Sequence, residues 1–276
     1  MVESSEQIMK IAGLFDAISD TYDAVGVDFF QPIASGLVQA LNPLPGESWL
    51  DVGCGRGAVS EQVGLTLGVD GKILGFDISE RMIENSCAMA KKQNLINCEF
   101  IVDNAQFPEK VSGEFDVICS CLVLFFLPDP LAALQNWRHY LKSTGRIGIT
   151  TFGENDPRWQ MIDQLFNDYL PPQMLDARAS GQKGPFASDN GMELLLLQSG
   201  YREVKTTNST LPVKFKSLDH WYNFSWSTGQ RNMWLLVPEE ERPALRAKAE
   251  SHLRNYIQSD GSIIFNQGIR HTLALK

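Results

Sequence analysis

The stretch WLDVGCGRGAVSEQVG, Trp49 to Gly64, constrains this chain more than any other. An apolar run closes on Asp51, glycines follow at 53, 55 and 57, and a helix-like pattern comes next. Glycine at that spacing lets the backbone turn sharply and approach a ligand closely. Read only as G-x-G-x-x-A over Gly53, Gly55 and Ala58, with Asp77 as a ribose acid, it passes for a dinucleotide fingerprint. Asp51 pulls the other way, because a carboxylate at that strand tip repels a pyrophosphate and suits a ligand with an ammonium group. No Lys-Ser/Thr pair follows, which excludes a P-loop.

Short apolar runs alternate with amphipathic segments from this point on: SWLDV, KILGFD, CEFIV, FDVICS and GRIGITTF, with helices from about 57, from about Glu80 and at about 130–142. That alternation predicts a parallel sheet with helices on both faces. Asp77 ends the second strand and accepts ribose hydroxyls; Asp103 ends the third and accepts from an adenine amine, with Ile78 or Phe107 covering the ring. Three acids at three successive strand tips mark the crevice of an open α/β sheet. The ligand that fits is adenosine-bearing and lacks phosphate, and S-adenosylmethionine has such an ammonium end.

Bulk properties exclude other classes. The chain has 276 residues with 33 acidic and 24 basic side chains, a net charge of -9, and its only basic doublet is Lys91-Lys92, so nucleic acid is not expected as a partner. MVESSEQIMK has no secretory pattern, and CLVLFFL is too short to cross a bilayer, so a cytoplasmic protein without membrane insertion is expected. Five cysteines (54, 87, 98, 119, 121) lack framework or zinc-ligand spacing, so free thiols and no metal are expected.

With these motifs in place the chain resembles the class I S-adenosylmethionine-dependent methyltransferases, of the ubiquinone/menaquinone-methylase-like, small-molecule branch. The resemblance rests on FDAISDTYD (15–23), LDVGCGRG (50–57), GFDIS (75–79), DNAQFP (103–108), FDVICSCLVLFFLPDP (115–130) and LKSTGRIGITTF (141–152). It implies a Rossmann-like seven-stranded sheet, mostly parallel with an antiparallel last strand, and S-adenosyl-L-methionine as cofactor with S-adenosyl-L-homocysteine as product. It further implies that Asp51, Gly53 and Gly55 hold the methionine and ribose part, Asp77 the ribose, and Asp103 with Asn104 and Ala105 the adenine beside Ile78. Leu122 lies beside the cofactor and Tyr22 closes over its methionine end. Phe125 and Phe126 stand where members often carry two histidines, which puts in doubt any base borrowed from that position.

The whole chain reads as a single methyltransferase domain. Its core spans 40–153, 186–216 and 259–276, and segments 1–30, 154–185 and 217–258 cover the substrate. The sulfonium is already an activated electrophile, so alignment is the main catalytic task. A hydroxyl or carbon acceptor gains from a base, for which His220, Asp156 and Glu154 are the candidates. Phe125, Phe126, Trp159, Trp221, Trp226 and Arg231 are the candidate acceptor contacts, although the same tryptophans serve as plain lid packing and Arg231 could pair with a neighbouring carboxylate. Gly57 reads as a packing glycine and His139 as a solvated helix residue. The strand-four tip lacks the Asn/Asp-Pro-Pro-aromatic motif of amino-methylating DNA enzymes. What remains is an oxygen or carbon of a hydrophobic small molecule in secondary metabolism, of polyketide, terpenoid, quinone or alkaloid type. Two alternatives stay open: cyclisation or rearrangement with the cofactor as a structural element, and a catalytically silent cofactor-binding subunit. Homo-oligomer formation also stays open.

Overall fold

The computed structural model describes residues 2–22, 25–170 and 184–276. Of the covering segment expected over 154–185, positions 171–183 lie outside the described residues, as does Asp23 of the 15–23 motif. The chain opens with helices α1 (Val2–Ile18) and α2 (Phe30–Leu41). Alternation follows: β1 (Ser48–Val52), α3 (Ala58–Leu67), β2 (Lys72–Asp77), α4 (Glu80–Gln93), β3 (Cys98–Val102), β4 (Phe115–Cys121), α5 (Pro130–His139) and β5 (Leu141–Asn155). Then come α6 (Pro157–Gln164), α7 (Asp189–Gln198), β6 (Arg202–Phe215), α8 (Leu218–Trp226), α9 (Arg231–Leu236), α10 (Arg242–Leu253) and β7 (Ile263–Leu275).

The seven strands form one sheet in the order β3-β2-β1-β4-β5-β7-β6, with β7 antiparallel to both neighbours and the other pairs parallel. This is the sheet that the sequence predicts. Strand β1 sits at its centre and is buried along its whole length, as a strand covered on both faces must be. Trp49 packs with α2 and α3, whereas Leu50 and Val52 pack on the opposite face with Trp137 and Leu196. The strand order reverses between β1 and β4, which opens a crevice at their C-terminal ends.

The β6–β7 pairing runs past the end of the β5–β7 pairing. Strand β7 pairs with β5 only as far as Asn155↔Gln267, but with β6 out to Phe215↔Ile263. The last turns of the β6–β7 ribbon therefore leave the sheet and carry α8 to α10 as an insertion. Val213, Phe215, Ile263 and Phe265 belong to the apolar cluster of the cap, with Trp221, Phe224, Trp234 and Leu245. Period-two alternation marks a strand but not where its pairing partner ends.

Candidate functional site

A cavity of about 90 Å³ occupies the crevice. Its floor is the glycine loop after β1, its sides are the ends of β2, β3 and β4, and its roof is α1 with Tyr22. Of the residues expected at the cofactor, Tyr22, Gly53, Gly55, Asp77, Ile78, Asn104, Ala105 and Leu122 line it. Ile11, Phe15, Met82, Cys121, Val123, Phe126 and Leu127 complete the wall.

Both lining glycines have left-handed backbones, φ 68° at Gly53 and 54° at Gly55. A Cβ on Gly53 would lie 2.4 Å from a Val123 methyl, whereas one on Gly55 would meet nothing within 4 Å. Gly53 is thus required by packing and backbone, and Gly55 keeps the loop surface open. Gly57 abuts Met89 and Ser86 of α4, a packing role. The Asp77 carboxylate is held from both sides: Gly55 N–H donates to Oδ2 at 2.9 Å and Ser79 N–H to Oδ1 at 3.0 Å. Burial raises its pKa above the ordinary value, opposed by these hydrogen bonds.

Asp51 lies one layer deeper, 1% exposed and outside the cavity lining. Its Oδ2 accepts from Ser60 Oγ at 2.7 Å. Burial pushes its pKa up to about 6, with the nearby Asp77 adding to the shift. Beside it Leu122 has φ 61°, a left-handed conformation that costs a branched side chain roughly 1–2 kcal/mol and clusters at functional sites. Its N–H donates to Thr150 O at 3.0 Å, which holds the turn in place.

Asp103 needs correction. Its carboxylate gathers the loop behind it, accepting from the N–H groups of Asn104 at 2.8 Å, Glu109 at 3.1 Å and Lys110 at 2.8 Å. It does not line the cavity; it presents Asn104 and Ala105, which do. Phe107 is 55% exposed and also stays out of the wall.

The three base candidates do not stand at the cavity either. His220 Nδ1 accepts from Lys216 N–H at 3.0 Å and Nε2 lies 2.8 Å from Val25 O. Both ring nitrogens are occupied: Nδ1 by the backbone at the start of α8, and Nε2 in fastening α8 to the segment after α1. His220→Ala should lower stability by about 1–2 kcal/mol, two hydrogen bonds' worth; a rate loss with an altered pH profile and intact stability would restore the base. Asp156 caps α6 and holds Arg158 through Nε at 2.8 Å and Nη2 at 2.5 Å. That guanidinium brings its pKa down to about 2. With Glu154 it borders a separate polar groove of about 730 Å³ between α6 and the β6–β7 ribbon.

The acceptor candidates scatter. Phe126 lines the cavity, edge-on to Phe15 at 5.5 Å, and Phe125 packs on Phe152 at 5.4 Å. Trp221, 1% exposed, is a core residue of the cap, and Trp159 is wedged between Phe215, Phe224 and Phe265. Trp226 and Arg231 sit together in the outer cap at 5.8 Å.

Polar contacts that composition does not announce tie the roof down. Ser79 Oγ donates to Asp16 Oδ1 at 2.5 Å, and Arg81 pairs with Asp20 at 3.2 Å. Arg56, within the glycine loop, donates to Tyr22 O. Their only sequence signal is position: Arg56 lies between two loop glycines, and Ser79 is an N-cap residue two positions after Asp77. Among the described residues no group of histidine, cysteine and acid side chains is placed to hold a metal, and no helix is long and apolar enough to cross a membrane.

The same chain was compared with known proteins. A family model described as a methyltransferase domain matches residues 44–194. Nocamycin O-methyltransferase of Saccharothrix syringae is 30% identical over 247 residues, covering 85% of this chain and 88% of that protein. Aklanonic acid methyltransferase DauC of Streptomyces sp. (strain C5) is 33% identical over 180 residues, covering 62% and 82%. Among solved structures, Haemonchus contortus phosphoethanolamine N-methyltransferase 2 in complex with S-adenosyl-L-methionine aligns with a TM-score of 0.54 at 16% identity, over 88% of this chain and 52% of that one. This last likeness is one of fold.

Proposed function

The chain belongs to the class I S-adenosylmethionine-dependent methyltransferases, and from that premise we propose that it methylates an oxygen of a hydrophobic small molecule, a polyketide-, terpenoid-, quinone- or alkaloid-like natural product. The observation that carries this reading is the cavity in which Gly53, Gly55, Asp77, Asn104 and Ala105 meet an apolar wall of Phe15, Leu122, Val123 and Phe126. The names of the two relatives, an O-methyltransferase and an acid methyltransferase, support oxygen over carbon.

The cofactor supplies a methyl group already activated as a sulfonium. Asp77 takes the ribose hydroxyls on lone pairs left free by Gly55 and Ser79, and Asn104, Ala105 and Ile78 flank the adenine. Asp51 draws the ammonium end, directly or through water, and Tyr22 closes over it. The apolar wall would exclude water and hold an acceptor oxygen that has already given its proton to solvent facing the activated methyl, so that proximity is the main catalytic effect and no base in the cavity is needed. Helix α1 serves as the lid: the cavity is smaller than the ~300 Å³ at the low end of small-molecule sites, so α1 moves outward to admit the ligand.

Calorimetric titration with S-adenosylmethionine and S-adenosylhomocysteine, with NAD as control, followed by mass measurement of acceptor products, tests the reading. Binding of the adenosyl pair alone and a product heavier by one methyl in place of hydrogen support it. An unchanged product mass points to rearrangement, and selective NAD binding overturns it.

Asp51 makes the titration pH-dependent. Its pKa near 6 lies above the ordinary 3.8, so the cofactor-free fold keeps its proton longer than the unfolded chain does. The Asp51 contribution to stability therefore falls as pH rises from about 4 to about 6, while His271, whose pKa burial lowers from 6.5 to about 4, contributes the opposite trend over the same window. A bound ammonium favours the ionised carboxylate, so affinity should fall below pH 6, approaching about tenfold per unit, and be constant above it. An affinity unchanged between about pH 5 and about pH 8 would remove Asp51 from the ammonium.

A further inference from the structure

Among the described residues, two donors inside the cap have no acceptor: Nε1–H of Trp226 and Nε–H of Arg231 are both buried and unpaired. The two side chains are neighbours. The Arg231 guanidinium lies 5.8 Å from the Trp226 ring centre and the Arg242 guanidinium 5.7 Å from it, while Trp234 stacks on the same ring at 6.0 Å and 15°. The neighbours are satisfied. Trp234 Nε1 donates to Ser225 Oγ at 2.8 Å, and Arg242 Nε donates to the carbonyls of Trp234 and Val237. Arg158 pairs with Asp156, Arg246 with Asp219 and Glu250, and Arg254 with Glu250. Among the described arginines of the cap, Arg231 is the one whose side chain makes neither an ion pair nor a hydrogen bond.

A buried donor left unpaired costs more than an ordinary hydrogen bond returns, and two such donors beside a second cation define what is missing. The complement is an anionic oxygen, and the stacked indoles beside it suit an apolar or aromatic body. Guanidinium and carboxylate match in geometry as well as charge. We propose that Arg231 and Trp226 form an anion subsite that holds a carboxylate of the methyl acceptor. The inference rests on the methyltransferase reading with a hydrophobic acceptor; Trp226 packs against the same apolar cluster that contains Leu122 of the cofactor cavity.

Benzoate and benzamide, titrated into the protein saturated with S-adenosylhomocysteine, test it by thermal shift. Benzoate should raise the melting temperature saturably and benzamide should not. Arg231→Met should weaken benzoate by about tenfold or more, and Trp226→Phe, which keeps the ring and removes the N–H, by several-fold. Both variants should bind S-adenosylhomocysteine as the wild type does. Equal responses to the two probes, or a benzoate response that survives Arg231→Met, overturn the subsite and leave the methyltransferase reading standing. A wild type that fails to bind S-adenosylhomocysteine overturns that reading, and this inference falls with it.

Discussion

Asp77→Ala is expected to weaken S-adenosylhomocysteine binding by about 2–3 kcal/mol, some 30- to 150-fold. Two losses add up. In the proposed site the carboxylate accepts from both ribose hydroxyls, and it also holds the loop itself, because Gly55 N–H and Ser79 N–H donate to its two oxygens. Without it the left-handed turn at Gly55 loses the bond that fixes it. Asp77→Asn separates the two losses, since its remaining carbonyl accepts from one side while its amide repels the N–H on the other; it should fall between wild type and alanine. The fold itself should also lose stability, because the alanine variant leaves the Gly55 and Ser79 N–H groups without their acceptor. Calorimetry on the three proteins measures this directly, and an alanine variant within about twofold of wild type would take Asp77 off the ribose.

Asp77 was legible in the sequence for a physical reason. A glycine loop and strand-tip acids obey fixed local geometry, so the residues between Asp51 and Ala105 largely arrive where spacing puts them. Asp103 shows the limit: spacing placed it at a strand tip, but its carboxylate found three backbone N–H groups of its own loop. His220 and Asp156 stand away from the cavity for a similar reason: each is held by a local partner, Lys216 and Arg158, and by a distant one, Val25 and Asn266, that sequence spacing does not reveal. The strain at Leu122 leaves no trace in its residue type. Trp226 and Arg231 read as lid packing or an ion pair, and only side-chain geometry reveals that their donors are unpaired.

The division of the core sets the second large effect. Trp221 is 1% exposed within the cap cluster, whereas the residues around the sheet centre, Leu50, Val52, Phe76 and Ile118, belong to a different cluster. Trp221→Ala should cost about 3–5 kcal/mol, the range for deleting a large buried aromatic. That is a large share of a domain's total stability, about 5–15 kcal/mol, but it falls on α8 to α10 and the distal β6–β7 ribbon. The cofactor walls draw on the cap through few residues, chiefly Leu122, which packs in the cap cluster, so S-adenosylhomocysteine affinity should change by less than about threefold where the protein remains folded. Methyl transfer, which needs the cap over the acceptor, should be lost. Thermal unfolding followed by tryptophan fluorescence, beside calorimetric titration below the transition, separates the two. If cofactor affinity fell in step with stability, cap and sheet would form one cooperative unit, and the cap would be part of the cofactor site rather than a cover placed over it.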